Sequence, residues 1–529
     1  MSRSASGLRR AGMLVPLFSL ASSKSWGIGE FADLPRVAAW LERAGHRVLL
    51  MLPLNEMPPS ETSPYSALSA MALDPQFIAL DAVEDFAALG GEASLEPEEK
   101  ARLDAVRRAR SIDYVVVRDL KQAALRRSFA RFLAAEWQGG TARASALRAF
   151  IEGQAWWLED YALFRALQVR YGERAWHAWP EPIRLRDAEA VARARSEVAD
   201  EVLYRQYVQW IAGEQWRAAR AASRQLAVFG DLPFAVGADS ADVWAGQHAF
   251  RLDRSIGVPP DAFSATGQDW RLPAYRWDVL AEHDFKLLRD RAARHANLFD
   301  GYRIDHLVGF FRMYTRPVGG GEGTFTPDEQ SAQQALGERI MRLFQESGAE
   351  IIAEDLGVVP DFVRNSLARL GIPGYRVFRW ERHWHAPGQP FKDPLDYAPI
   401  SVATSGTHDT EPLAIWWESA PVEERRAVLA IPSLSHVLDS DASLAAQSTA
   451  LSPALRDALL ETLFASGSDL LVLPIQDVFG WPDRINQPAT IGSHNWTWKL
   501  PWPSDRLLEE RESADAAERL RGWAIKHRR

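Results

Sequence analysis

The fold follows from one stretch of the sequence, Phe299-Asp300-Gly301-Tyr302-Arg303-Ile304-Asp305-His306-Leu307. In a β-strand the side chains alternate between two faces, so Arg303 and Asp305 share one face of this stretch. Burying two charges there is costly unless the face serves a polar site, because unpaired charges are rarely buried. A purely structural ion pair between Arg303 and Asp305 is the alternative interpretation.

Eight short, apolar, β-rich runs separated by amphipathic stretches are typical of repeated βα units and a parallel sheet. They span residues 13–20, 47–54, 226–233, 299–307, 349–356, 374–380, 400–408 and 469–476. Eight strands are the number that closes a (β/α)8 barrel, the TIM barrel. The sequence therefore predicts an α/β protein built on such a barrel.

Two long segments interrupt the predicted barrel. Residues 85–220, rich in Ala, Arg, Leu and Glu with heptad-like apolar spacing, predict a helical insertion after the second strand. Residues 235–298, rich in Gly, Pro, Asp and Trp, predict a loop-rich insertion after the third strand. The expected organisation is barrel strands one and two in 1–84, a helical subdomain in 85–220, and the rest of the barrel in 221–529.

The composition excludes several classes of protein. A formal net charge of -9 and a pI near 5.8 argue against a nucleic-acid or anionic-membrane partner. The absence of cysteine excludes disulfides and thiol nucleophiles. No apolar run approaches the roughly 18 residues that span a membrane. The 21 Trp are an excess, and most are expected in the core, although Trp is also a flat surface on which the apolar face of a sugar can stack.

Two later stretches place acids where further strands end. Apolar Ile351 and Ile352 run into Glu354, and the apolar run from residue 400 to 403 precedes Asp409. In a (β/α)8 barrel the carboxyl ends of the strands converge on the active site. Asp305, Glu354 and Asp409 therefore become candidates for one shared site, although each acid alone would also suit a helix cap or a salt bridge.

Facing carboxylates are what glycosidic-bond chemistry requires, since one attacks the anomeric carbon and the other donates a proton to the leaving oxygen. Neighbouring carboxylates raise the pKa of the acid, whereas Arg303 would keep Asp305 ionised as the nucleophile. Zinc or magnesium ligation is the competing interpretation for acids and His at strand ends. It is disfavoured because the chain has no helical H-x-x-x-H spacing.

The stretches 301–306, 352–357 and 406–409 resemble, in order and spacing, the signature strands of the α-amylase superfamily. Four further stretches narrow the resemblance: Ser63-Pro64-Tyr65-Ser66-Ala67-Leu68-Ser69-Ala70, Gly230-Asp231-Leu232-Pro233-Phe234, Asp239-Ser240-Ala241-Asp242-Val243-Trp244, and the loop from Gly257 to Gln268. Together they resemble the 4-alpha-glucanotransferases of glycoside hydrolase family 77, also called amylomaltases or disproportionating enzymes. The likeness runs from about residue 13 to about 505.

The resemblance implies roles for individual residues. Asp305 would be the nucleophile, Glu354 the general acid/base and Asp409 the stabiliser that grips ring hydroxyls. Seven further residues would contact Asp305 or the substrate: Arg303, His408, Ser63, Tyr65, Trp270, Phe263 and Asn486.

The resemblance also implies a setting. Family members need no organic cofactor or metal and work in the cytoplasm on maltooligosaccharides and on glycogen or starch fragments, with glucose or maltose as acceptor. The sequence does not indicate an oligomeric state.

Three positions depart from the pattern of many relatives. Ala262 stands where an aromatic residue is common, Asp269 lies in a segment that differs from the commoner Gly-Asn-Pro ending, and Thr410 replaces a frequent Asn. None removes a catalytic acid, so the departures bear on acceptor preference and not on the reaction.

Three functions remain to be compared. The leading hypothesis is retaining transfer of α-1,4-glucan segments through a covalent glucosyl–Asp305 ester. Hydrolysis of the same bond would use the same acids and differ only in whether water is excluded. A non-catalytic glycan-binding protein is disfavoured because all three acids are present.

Overall fold

The computed structural model describes residues 9–260, 267–435, 442–488, 490, 492 and 494–529. Within these ranges the strands are β1 (Arg10–Leu14), β2 (Val48–Leu50), β3 (Ala227–Leu232), β4 (Phe250–Val258), β5 (Gln268–Tyr275), β6 (Gly301–Ile304), β7 (Met313–Pro317), β8 (Thr324–Thr326), β9 (Glu350–Ala353), β10 (Gly374–Val377), β11 (Ser401–Thr404) and β12 (Leu470–Pro474).

The helices of the same ranges are α1 (Leu34–Arg43), α2 (Glu84–Ala88), α3 (Pro97–Arg108), α4 (Tyr114–Phe132), α5 (Ala142–Arg170), α6 (Glu181–Arg184), α7 (Ala188–Glu197), α8 (Ala199–Ala222), α9 (Ala241–Ala245), α10 (Trp277–Glu282), α11 (Lys286–Leu298), α12 (Val308–Phe311), α13 (Gln330–Glu346), α14 (Asp361–Leu370), α15 (Leu413–Ser419), α16 (Val422–Leu429), α17 (Pro432–Ser435), α18 (Ala442–Gln447), α19 (Pro453–Ala465), α20 (Ile475–Phe479) and α21 (Arg511–Lys526).

Eight of the strands close a parallel barrel in the order β1-β12-β11-β10-β9-β6-β3-β2. Every residue of β2, β6, β11 and β12 is buried, as expected for parallel strands covered on both faces. Each of the eight predicted strands overlaps one barrel strand, so the predicted (β/α)8 barrel is confirmed. Because all eight strands run the same way, their carboxyl ends share one end of the barrel.

The first strand is displaced from its predicted range of 13–20. β1 ends at Leu14, and residues Leu17–Ser19 form a 3-10 turn instead. Pro16 is the physical reason, since proline has no backbone N–H to continue the ladder of hydrogen bonds.

Helices α2 to α8 fill the segment between β2 and β3, where the sequence predicts a helical insertion. Apolar side chains of α4 and α8, such as Phe132 and Trp216, belong to the same buried cluster as Val228 of barrel strand β3. The buried Nζ of Lys121 on α4 also lies 2.5 Å from the Glu30 carboxylate. The helices therefore share a core with the barrel, and the domain boundaries at 85 and 220 stay a prediction.

The loop-rich description of residues 235–298 needs correction. This segment holds the strands β4 and β5 and the helices α9, α10 and α11, and it contributes to an antiparallel sheet of order β5-β4-β7-β8. Charged residues on the exposed part of β4 and Pro273 inside β5 hide the strand pattern in the sequence. Proline is tolerated there because β5 is the edge strand of the sheet.

Candidate active site

The register of the barrel strands brings two of the predicted acids side by side. Ile304 at the end of β6 is paired with Ala353 at the end of β9, and Asp305 and Glu354 are the next residues of each strand. The Glu354 backbone N–H donates to the Ile304 carbonyl at 3.1 Å, which continues the pairing by one residue. Adjacent strands lie roughly 4.8 Å apart, so the two acids occupy neighbouring positions at the carboxyl end of the barrel.

Arg303 is the charged centre of the site. Its Nη1 lies 2.9 Å from Asp305 Oδ1 and 2.7 Å from Asp231 Oδ2 at the end of β3. Burial opposes the positive charge, but the Asp231 and Asp305 carboxylates outweigh it and hold the pKa of Arg303 above its usual value. The guanidinium is therefore permanently charged and gives Asp305 a fixed cationic neighbour.

Glu354 lies in a different environment from Asp305. Its Oε2 accepts from the His306 backbone N–H at 2.8 Å, and its Oε1 accepts from the Leu356 backbone N–H at 3.1 Å. Burial, reinforced by the charge of Asp305 and opposed by that of Arg303, raises the pKa of Glu354 to about 8. At neutral pH the carboxyl is thus mostly protonated and can donate a proton.

His306 contributes through its backbone as well as its ring. It has a φ of 43°, in the left-handed region that non-glycine residues seldom adopt. The residue follows Asp305 directly, and its N–H is the one that reaches Glu354. Burial lowers the pKa of the His306 ring to about 4, so the imidazole is neutral beside the acids.

Asp409 stands on a turn after β11, and side chains hold it there. Its Oδ1 accepts from Asn486 Nδ2 at 2.7 Å, and its carbonyl accepts from Arg484 Nη2 at 3.1 Å. Thr410 Oγ1 accepts from the Thr407 backbone N–H at 3.0 Å and so closes the turn that contains His408 and Asp409. Thr410, a departure from many relatives, therefore supports this turn.

A hydrogen-bond chain joins the two sides of the site. Tyr65 Oη donates to Asp231 Oδ2 at 2.7 Å and lies 3.0 Å from His408 Nε2, which in turn is 3.4 Å from Asp409 Oδ2. Because the tyrosine proton goes to the carboxylate, His408 Nε2 is the donor toward Tyr65. The rings of Tyr65 and His408 stack with centroids 5.5 Å apart.

The remaining predicted contacts fall into three groups. Ser63 Oγ accepts from the Tyr65 backbone N–H at 3.3 Å and so touches the site through its neighbour. Trp270 on β5 packs edge-to-face on the His306 ring, 4.7 Å between centroids.

Phe263 and Ala262 lie outside the described residues. Asp269, another departure, accepts from Ser255 Oγ and the Arg271 backbone N–H, so it serves the β4–β5 pair.

Asp231 and His306 are site residues that the sequence reasoning did not assign. Asp231 is almost fully buried and is paired in register with Arg303 on the neighbouring strand. Asp231 lies near the end of the predicted strand 226–233, and this position is the signal from which it could have been assigned to the site. The backbone role of His306 depends on a single φ angle, which the sequence does not reveal.

Within the described ranges, no cluster of three or more His, Asp and Glu side chains is arranged to bind a metal ion. None of the helices in the described part of the chain is long and apolar enough to cross a membrane. What the site offers chemically is a cation between the Asp231 and Asp305 carboxylates, a protonated carboxyl on Glu354, and a further acid, Asp409, held by an amide.

Comparison with known proteins places the chain in a family. The family 77 glycoside hydrolases, described as 4-alpha-glucanotransferase, match residues 15–505. The 4-alpha-glucanotransferase of Thermus thermophilus is 33% identical over 499 residues, covering 91% of this chain and 93% of that protein. The Chlamydia pneumoniae enzyme of the same name is 31% identical over 498 residues, covering 92% and 91%.

A solved structure agrees with this assignment. The amylomaltase from Streptococcus agalactiae in complex with acarbose aligns with a TM-score of 0.81 at 25% sequence identity, covering 98% of this chain and 99% of that one. The chain therefore belongs to glycoside hydrolase family 77 and is a 4-alpha-glucanotransferase, an enzyme that transfers segments of α-1,4-glucans.

Proposed function

We propose that transfer proceeds with retention of the α-configuration through a covalent glucosyl ester on Asp305. One observation carries the proposal: Asp305 lies 2.9 Å from the Arg303 guanidinium, while the pKa of Glu354 on the next strand is raised to about 8. A carboxyl group beside a fixed cation suits a nucleophile, and a neighbouring carboxyl with a raised pKa suits a general acid.

In the first step the Asp305 carboxylate attacks the anomeric carbon of the donor glucan. The bond between that carbon and the glycosidic oxygen breaks, and the Glu354 proton moves to the leaving oxygen. The leaving chain departs with a free 4-hydroxyl, and Glu354 is left ionised. Retaining enzymes of this kind hold their carboxyl groups about 5–5.5 Å apart, a spacing compatible with neighbouring strands.

In the second step an acceptor sugar resolves the ester. Ionised Glu354 takes the proton of the acceptor 4-hydroxyl, whose oxygen attacks the anomeric carbon and displaces the Asp305 carboxylate. Two inversions at one carbon return the α-configuration. The Glu354 pKa near 8 suits both directions, because a group that titrates near the working pH can donate and accept a proton in turn.

Asp409 would stabilise the transition state by binding ring hydroxyls of the sugar whose anomeric carbon is attacked. The Asn486 amide and the Arg484 guanidinium support this role, since both hold the acid in one orientation. Tyr65 and His408 would line the same sugar, with Ser63 behind Tyr65. A well-oriented group of this type strengthens its contact only as charge develops in the transition state.

Transfer is favoured over hydrolysis when the part of the site that receives the acceptor can bind a sugar. Trp270 offers a rigid aromatic surface beside His306, and aromatic rings lose little entropy when they bind a sugar. Phe263 would add a second surface. We propose maltooligosaccharides and glycogen or starch fragments as donors, glucose or maltose as acceptors, and the cytoplasm as the compartment.

Incubation with maltotriose tests the proposal. We expect glucose together with a ladder of longer maltooligosaccharides, unchanged when EDTA is added. Reducing ends that rise in step with bond cleavage, without longer products, would instead indicate a hydrolase. Binding of maltotriose without any bond cleavage would indicate a non-catalytic glycan-binding protein.

A further inference from the structure

Asp409 stands on the segment that connects β11 to α15, residues 405–412, which we call the Asp409 turn. The two ends of this turn lie against one carboxylate, that of Asp477 on α20. Its Oδ2 accepts from the Ser405 hydroxyl, and its Oδ1 accepts from the Leu413 backbone N–H at 2.6 Å. Ser405 begins the turn and Leu413 follows it, so a single side chain fixes both ends.

The Asp477 carboxylate is held in the interior of the protein. Asp477 is 1% exposed and its partner Ser405 is fully buried. Burial raises the pKa of Asp477, and the hydrogen bonds from Leu413 and Ser405 and the charge of Arg379 oppose that rise. Burying a carboxylate is costly unless it is paired and hydrogen-bonded, and here both of its oxygens bind the Asp409 turn.

Arg379 holds the same turn from the opposite side. In the barrel, β11 lies between β12 and β10, so Asp477 follows one neighbouring strand and Arg379 follows the other. Arg379 is buried, donates from Nη2 to the Ser405 carbonyl at 3.3 Å, and donates from Nη1 to Glu411 Oε1 at 2.9 Å. The Asp409 turn is therefore held between a buried anion and a buried cation.

These contacts reach Asp409 through its backbone. Glu411 Oε2 lies 3.5 Å from Arg484 Nη1, and Arg484 Nη2 donates to the Asp409 carbonyl at 3.1 Å. A change at either end of the turn would thus move the Asp409 carboxylate relative to a bound sugar. A displacement of a catalytic group by about 1 Å can lower a rate about 100-fold.

We infer that Asp477 is a positioning residue for the transfer reaction. It holds the two ends of the Asp409 turn so that the Asp409 carboxylate meets the sugar as the transition state forms. The inference rests on the role proposed for Asp409 and is independent of the covalent route through Asp305. A positioning role predicts a loss in kcat, whereas a merely structural role predicts a loss of stability alone.

Steady-state kinetics with maltotriose test the inference. Asp477→Ala removes both hydrogen bonds and should lower kcat about 100-fold, with a smaller change in KM. Ser405→Ala removes one of the two bonds and should lower kcat about tenfold, the rate equivalent of one hydrogen bond to a charged group. This second variant keeps the test available if Asp477→Ala does not fold. Asp477→Asn should retain most of the activity, because its amide can accept from Leu413 and donate to Ser405 Oγ.

Asp33→Ala is the matched control. Asp33 is also 1% exposed, and it accepts from the Ser25 hydroxyl at 2.7 Å and the Glu30 backbone N–H at 2.8 Å. Its loss should lower stability in urea unfolding, as the loss of Asp477 does, but should leave kcat at the wild-type value. Wild-type kcat in Ser405→Ala, or an equal kcat loss in Asp33→Ala, would overturn the inference.

A double-mutant cycle asks whether the effect passes through Asp409. Turnover of α-maltosyl fluoride, whose fluoride leaves without a proton, is measured for Ser405→Ala, Asp409→Ala and the double variant. Ser405→Ala should have no further effect once Asp409 is absent. An equal loss in both backgrounds would overturn the inference and leave the role of Asp409 intact. Wild-type turnover of Asp409→Ala alone would contradict the role proposed for Asp409, and the inference with it.

Discussion

The two halves of the proposed active site are held in different ways. Asp305 and Glu354 extend directly from the ends of β6 and β9, so backbone pairing fixes their positions. Asp409 stands five residues beyond the end of β11, and the Asn486 amide and the Thr407–Thr410 hydrogen bond hold its turn. Substitutions at the first pair should therefore change charge without moving the backbone, whereas substitutions around Asp409 should change its position.

The largest effect is expected from Asp305→Asn, which removes the proposed nucleophile and leaves the strand pairing intact. Activity on maltotriose should fall below about one hundredth of the wild-type value, because no covalent route remains. The variant should keep the wild-type circular dichroism spectrum. Asp253→Asn is a matched control on the exposed part of β4 and should keep full activity. Turnover above that limit in Asp305→Asn would contradict the assignment of the nucleophile.

The pH dependence of kcat/KM tests the raised pKa of Glu354. Below about pH 8 the carboxyl is protonated and can act as the proposed proton donor, so activity should fall about tenfold per unit above that pH. The charge of Asp305 contributes to the shift, so Asp305→Asn should lower the pKa of Glu354. Carboxyl-carbon NMR of labelled glutamate measures that change, and an unchanged pKa would show that the two acids do not interact.

The same shift predicts how stability varies with pH. The folded pKa of Glu354, about 8, lies above the ordinary value of 4.5, so between these pH values the folded protein keeps a proton that the unfolded chain releases. Glu354 therefore contributes a loss of stability as pH rises through this window. Glu354→Gln should reduce that loss, which urea unfolding at pH 5 and pH 8 would measure. An identical pH slope in both proteins would contradict the raised value.

A smaller effect is expected on the Asp409 side. Asn486→Ala removes the amide that donates to Asp409 Oδ1 at 2.7 Å, and a hydrogen bond to a charged group contributes about 1.5–3 kcal/mol. The kcat/KM for maltotriose should fall by about 10- to 100-fold. The neighbouring Gln487→Ala removes an exposed side chain and serves as the control. Equal kinetics in the two variants would show that Asp409 is held without Asn486.

The smallest effect concerns the affinity for the acceptor sugar, at a position outside both halves of the site. Ala262→Tyr would add an aromatic surface of the kind that many relatives carry, and one stack contributes on the order of 1 kcal/mol. The KM for a glucose acceptor should fall by up to about fivefold, with the pH profile unchanged. Progress curves with radiolabelled glucose would measure it, and a weaker acceptor interaction would argue against this position facing the acceptor.

The sequence predicted the features that follow from local pattern. The eight strands, and the acids at the ends of three of them, could be predicted because an apolar run and the charged residue that follows it are close together in the sequence. Asp231 was not assigned, because its role depends on pairing with Arg303 across two strands that are distant in the chain. The strands β4 and β5 were missed because the cross-strand partners that bury them are not evident from composition.

Trapping the covalent intermediate tests the central claim most directly. Glu354→Gln incubated with α-maltosyl fluoride should react at Asp305, because fluoride leaves without a proton, and the ester should then persist without a base to activate the acceptor. Peptide mass spectrometry should locate one maltosyl group on the peptide that carries Asp305. A maltosyl group on Asp409, or turnover of the fluoride to a β-configured product with no adduct, would contradict the account.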